Sequence, residues 1–143
     1  MSFIPKVLII AGSDSGGGAG IQADIKTTSY FNGYAMTAIT AITAQNTIGV
    51  QSIYPLPKEI VMEQINSITT DLSPDIVKIG MLADLDIIKY ISKKISNYKI
   101  VLDPVMVATS GDVLVSDEVV SSIKNNLINK SFLITPNIYY VSY

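Results

Sequence analysis

The chain contains no cysteine, no histidine and no tryptophan, and only 15% of its 143 residues are charged. Without Cys or His there is no disulfide framework, no thiolate or imidazole zinc site, and no Ser/His or Cys/His nucleophilic pair. A metal bound here must be a hard cation held by oxygen. The net charge of −2 and the absence of a long Lys/Arg run argue against a surface built to neutralise nucleic-acid phosphates or anionic lipid. A small molecule is the expected partner. Met1 to Lys6 has no basic segment leading into a long apolar core, and the first apolar run, Val7 to Ala11, is too short for a signal or membrane segment. Cytoplasmic residence is the expectation.

What is abundant is apolar: 48% of the residues, against a charged fraction well below the usual quarter. That balance fits a sheet covered by helices on both faces, and equally a piece of a larger domain. Val7 to Ala11 has the length of a buried strand. A glycine-dense loop, Gly12 to Gly20, follows it, and Ile21, Ile25 and Thr28 then mark a helical face. Tyr34 to Ala44 is β-branched and predicts a strand. After Pro55 and Pro57, the stripe Val61, Ile65, Ile68 predicts a helix, and Ser73-Pro74 breaks the chain before the strand Ile76 to Ile79. Asp84 caps a helix carrying Ile88, Ile91 and Ile95, and a short strand, Ile100 to Leu102, leads to Asp103-Pro104. Ser116 caps a further helix with the stripe Val120, Ile123, Leu127, and Phe132 to Ile134 forms a last strand. Strands alternating with helices imply right-handed βαβ units and a mainly parallel sheet.

Ligands of such sheets collect beyond the carboxyl ends of the strands. The residues there are the glycine loop, Gln45-Asn46, Gly80-Met81, and Asp103-Pro104 with Val105 to Val107. The glycine loop fits close backbone approach to a ligand and fits a tight turn equally well; it matches neither the Gly-x-Gly-x-x-Gly register nor a P-loop. Gln45 presents an acceptor beside a donor, the complement of an aminopyrimidine edge, though a polar strand end facing water has the same sequence. Asp103 fits a Mg²⁺ ligand near phosphates and also a cap on the turn before Pro104. Asp24 is already favoured by the first helix's dipole. Met81 and Val107 serve as core or as pocket wall.

Taken together, Ala11 through Lys26, Ala44-Gln-Asn-Thr47 with Gly49-Val-Gln-Ser52, Lys78-Ile-Gly-Met-Leu82, and Leu102-Asp-Pro-Val-Met106 with Ser110-Gly-Asp112 closely resemble the hydroxymethylpyrimidine/phosphomethylpyrimidine kinases of thiamine biosynthesis. The likeness runs from Val7 through Asn137. It implies a ribokinase-like α/β fold, with residues 1–143 as the amino-terminal portion of a single kinase domain. The implied chemistry is Mg-ATP-dependent phosphorylation of 4-amino-5-hydroxymethyl-2-methylpyrimidine and then of its monophosphate. By the same resemblance Gln45 reads the pyrimidine edge, Gly12, Ala19 and Asp24 lie around the substrate, Met81 and Val107 form walls, and Asp103 stands near Mg-ATP. The family's usual Glu three residues past Asn137 is Tyr140 here. A Gly-Thr-Gly loop that the family carries in a second half has no counterpart, so the catalytic residues are expected outside this chain. The expected outcome is little or no activity alone, with a homodimer or a complementary carboxy-terminal fragment as possible partners. The competing expectations are a non-catalytic aminopyrimidine-binding fragment, a decaying gene product, and a kinase acting on pyridoxal.

Overall fold

A computed structural model of the chain describes residues 3–106 and 115–137. Its strands are β1 (Lys6–Asp14), β2 (Tyr34–Gln45), β3 (Val50–Pro55), β4 (Ile76–Ile79), β5 (Lys99–Leu102) and β6 (Leu133–Ile134). Its helices are α1 (Gly20–Tyr30), α2 (Lys58–Asp71), α3 (Leu85–Lys94) and α4 (Asp117–Asn126). The six strands form one sheet in the order β3-β2-β1-β4-β5-β6. Every pairing is parallel except the β2–β3 hairpin.

The two faces are covered unequally. Leu8 and Ile10 of β1, with Val77, Ile79, Ile100 and Leu102, meet Val61 and Ile65 of α2, Ile87, Ile88 and Ile91 of α3, and Val119 and Ile123 of α4. Each fully buried Ile or Leu in this layer contributes about 1.5–3 kcal/mol. The opposite face is a small cluster of Ile9, Ala11 and Ile21, covered by α1. Beyond α1 that face is half open: Lys78 and Val101 are half-buried, and Leu133 is exposed. The expected layering on both faces holds, with most of the core on one side.

Local chemistry sets the boundaries. The carboxylate of Asp84 accepts from the Ile87 N–H and Ser116 Oγ accepts from the Val119 N–H, both N-caps expected from sequence. Lys93 and Lys94 end α3, where cations complement the helix dipole. The Gln64 side chain on α2 donates to the Ile39 carbonyl and accepts from the Ile39 N–H. It thereby serves β2 backbone groups at a position that pairs with β1 but lies before the pairing with β3 begins at Ala41.

Four sequence expectations require correction. β1 continues through Gly12 and Ser13 to Asp14, so the loop proper is only residues 15–19. β3 was not expected; neither of its faces is buried, so it carries no apolar alternation and exists through pairing with β2. On α1 only Ile21 is buried, while Ile25 is exposed. On α4 the expected Ile123 is buried, as is Leu127 at its end, but Val119 rather than the half-buried Val120 completes the stripe; one position differs by about 100° around a helix. No helix among the described residues is long and apolar enough to cross a membrane.

Candidate active site at the carboxyl ends of the strands

Strand order reverses beside β1: β2 lies to one side of it and β4 to the other. Parallel sheets bind ligands at such a switch point. A cavity of about 440 Å³ opens there, within the range of small-molecule sites. Its lining draws on β1 (Gly12, Asp14), the start of α1 (Ala19, Asp24), β2 (Thr43, Gln45), β4 and its exit (Lys78, Met81), Asp103 after β5, and Asn137 after β6. Gly12, Ala19, Asp24, Gln45, Met81 and Asp103 are therefore brought together as the sequence suggested. Val107 lies outside the described residues, as does Tyr140.

The loop between β1 and α1 is organised by its own carboxylate. Asp14 is buried, and its side chain accepts from the N–H groups of Gly16 at 2.7 Å, Gly18 at 2.9 Å and Ala19 at 2.8 Å. The Gly17 N–H donates to the Asp14 carbonyl. Of the two readings left open for the loop, these contacts favour the tight turn: Asp14 itself takes the Gly16, Gly18 and Ala19 N–H groups, so they are not free to cradle a phosphate. The loop serves instead to hold its neighbours. Ser15 Oγ donates to the Gln45 carbonyl at 2.9 Å and accepts from the Gln45 N–H at 2.8 Å. That clamp sits at the register shift between Ala44 and Gln45 and fixes where Gln45 leaves the sheet.

Gln45 is half-buried at the end of β2. The buried Thr43 hydroxyl lies 2.9 Å from the Ser13 carbonyl and 3.1 Å from Gln45 Oε1. It has one proton and serves one of them at a time. Gln45 Nε2 has no partner among the described residues. An acceptor and a donor thus stand on the cavity wall. The apolar wall is Met81, buried, whose carbonyl accepts from Thr40 Oγ1 at 2.8 Å. Gly12 lies against it, and a Cβ there would stand 2.9 Å from Met81 Cε. A side chain at this position would push the flexible end of Met81 into the cavity. Asn46, grouped with Gln45 in sequence, does something else, since its side chain accepts from the Ile48 and Gly49 N–H groups and builds the β2–β3 turn.

At the other end of the cavity are three charges. Lys78 Nζ lies 2.7 Å from Asp24 Oδ2 and 3.7 Å from Asp103 Oδ2. Burial pushes the Asp103 carboxyl above the usual range; Lys78 opposes that rise, and Asp24 adds to it. Lys78 belongs to one of the family-like motifs, yet sequence reasoning assigns it no role. A lone charge inside the apolar run Ile76 to Ile79 is the signal that could have found it. Asp14 escapes a linear reading because an Asp in a glycine loop looks like ordinary turn chemistry.

Residues 14–142 match the family described as phosphomethylpyrimidine kinase. Over 138 residues the chain is 51% identical to the hydroxymethylpyrimidine/phosphomethylpyrimidine kinase of Bacillus subtilis, covering 94% of this chain and 51% of that protein. The enzyme of that name from Escherichia coli is 46% identical over 136 residues, covering 93% of this chain and 51% of its own length. Among solved structures, phosphomethylpyrimidine kinase from Clostridium difficile 630 superposes with a TM-score of 0.85 at 45% identity, over 96% of this chain and 60% of that one. The pyridoxal kinase from Staphylococcus aureus in complex with pyridoxal gives a TM-score of 0.86 at 32% identity, over 96% and 52%. The chain spans about half the length of the curated relatives it matches. Its fold is that of these ribokinase-like kinases, and by sequence the chain belongs to the phosphomethylpyrimidine kinase family.

Proposed function

We propose that this chain forms the pyrimidine-binding part of an ATP-dependent kinase. The substrate is 4-amino-5-hydroxymethyl-2-methylpyrimidine, then its monophosphate. The observation that carries this reading is the cavity in which Gln45, Gly12, Asp24, Met81 and Asp103 meet. Gly12 and Met81 adjoin in one wall of the cavity against which a flat ring can lie, and Gln45 offers its edge the donor and acceptor that an aminopyrimidine needs. The names of the similar kinases support the same substrate class.

Among the described residues no three His, Cys, Asp or Glu side chains group into a metal cage. A lone carboxylate still fits Mg²⁺, which keeps several waters and takes other ligands from phosphates. Asp103, at the mouth of β5, is the residue that would hold it, and the ion would neutralise charge on the transferring phosphoryl group. Phosphoryl transfer depends on positioning and charge neutralisation. The chain supplies the substrate side of both, so its activity alone should be little or none; a complementary carboxy-terminal polypeptide would supply the rest, and a homodimer is the other possible assembly.

Calorimetric titration of the purified chain with the hydroxymethylpyrimidine, with and without Mg-ATP, tests the reading. Binding is expected, and Gln45→Ala should weaken it by about 1–3 kcal/mol. No binding by a folded chain overturns the assignment. Turnover at about 1–100 per second, a typical kinase rate, would overturn the expectation of inactivity. The likeness to the pyridoxal-bound structure favours a second reading, pyridoxal as substrate, and tighter binding of pyridoxal in the same titration would select it.

A further inference from the structure

We infer that Lys78 is a positioning residue of this site: its ammonium ties the carboxylate of Asp24, on α1, to that of Asp103, beyond β5, in one fixed cluster. The inference rests on the proposed reading only for the identity of the ligand.

Lys78 is the single charged residue of β4, a central strand paired with β1 on one side and β5 on the other. Ile9 and Val101 are its cross-strand neighbours, so the aliphatic stem lies along the apolar sheet face while the head reaches the cavity. The head donates to Asp24 Oδ2 at 2.7 Å, and Asp103 Oδ2 is 3.7 Å away, a charge contact without a hydrogen bond. Both lysine and Asp24 side chains are largely withdrawn from water, at 20% and 22% exposure. An apolar residue would suit this strand position better for stability, because ionic groups lose hydration when they enter a sheet. The charge has a use at the cavity. Asp24 rides on α1, which covers its face of the sheet, and Asp103 sits on a connection. Among the described residues, Lys78 is what holds the Asp24 carboxylate toward the centre of the sheet. Lys78 thereby joins two cavity-lining carboxylates that come from separate elements.

The test needs the full chain, with Asp carboxyl carbons labelled and read by NMR near neutral pH in wild type, Lys78→Met and Lys78→Arg. The Asp24 resonance should move in Lys78→Met and return toward its wild-type position in Lys78→Arg; an unmoved resonance overturns the inference with no ligand involved. Pyrimidine titration gives the second readout. Lys78→Met should weaken binding about ten-fold, in the range of coupled charge pairs, Lys78→Arg should recover most of it, and Asp24→Asn/Lys78→Met should bind no worse than Asp24→Asn. Losses that simply add in the double variant overturn the inference. Should the wild-type chain bind no pyrimidine, the functional reading fails and the Asp24 resonance still decides the role of Lys78. Should Lys78→Met not fold, Asp24→Asn is read from the Lys78 ammonium nitrogen instead, and an unchanged signal refutes the pairing.

Discussion

Replacing Asp14 with Asn tests the claim that the loop after β1 is held by its own carboxylate. The side chain accepts three N–H groups, at 2.7, 2.9 and 2.8 Å, through both oxygens. An amide keeps one oxygen. Turned to serve Gly18 and Ala19, it presents its NH2 to the Gly16 N–H, donor against donor. A hydrogen bond to a charged group contributes about 1.5–3 kcal/mol. Gly16 and Gly18 are exposed, so water replaces part of what is lost, and a net cost of about 2 kcal/mol is expected. With a urea m-value of about 2 kcal/mol/M, the unfolding midpoint should fall by about 1 M. Hydrogen exchange at the Gly16, Gly18 and Ala19 amides should quicken in the same variant. A midpoint within about 0.25 M of wild type, equivalent to about 0.5 kcal/mol, would refute the account of the loop.

Gly20→Ala should be the most damaging single-atom change at the site: the residue has a φ of +54° and an added Cβ would overlap the Gly12 carbonyl, so destabilisation above about 2 kcal/mol is expected by urea unfolding. Gly12→Ala should leave the fold within about 1 kcal/mol of wild type, because the added Cβ meets the flexible end of Met81; it should instead narrow the cavity and weaken pyrimidine binding in a titration. Asp103→Asn probes a raised carboxyl. A folded-state value above the unfolded one means the native chain holds more protons between the two, so stability falls as pH rises through that window. Asn should therefore be more stable than Asp above the window and gain nothing at pH below the ordinary carboxylate range; urea unfolding at several pH values distinguishes the two.

Much of the fold was legible because its signals are local. Ile76 to Ile79 is an apolar run with the length of a strand, and Asp84 and Ser116 stand where N-caps must stand. The site residues were legible because strand ends in a parallel sheet share one edge, which puts Gln45, Met81 and Asp103 on the same rim without knowledge of any distance. β3 escaped because its residues face water on both sides and carry no periodic pattern. Ile123 and Leu127 of the α4 stripe are buried as expected, whereas Val119 rather than Val120 completes it, because the two are the same residue type in sequence and only packing chooses between them.

Sequence alone determined the alternation of strands and helices, the family, and the residue types available to the pocket, with His and Cys excluded outright. Periodicity, capping and turn chemistry act within a few residues, so a linear reading captures them. Only the tertiary structure decided how donors and charges are spent. It gave the loop N–H groups to Asp14, and it set Lys78 against Asp24 across 54 residues of chain. Such pairings depend on the crossing of separate elements in space, and no local pattern encodes a distance between them.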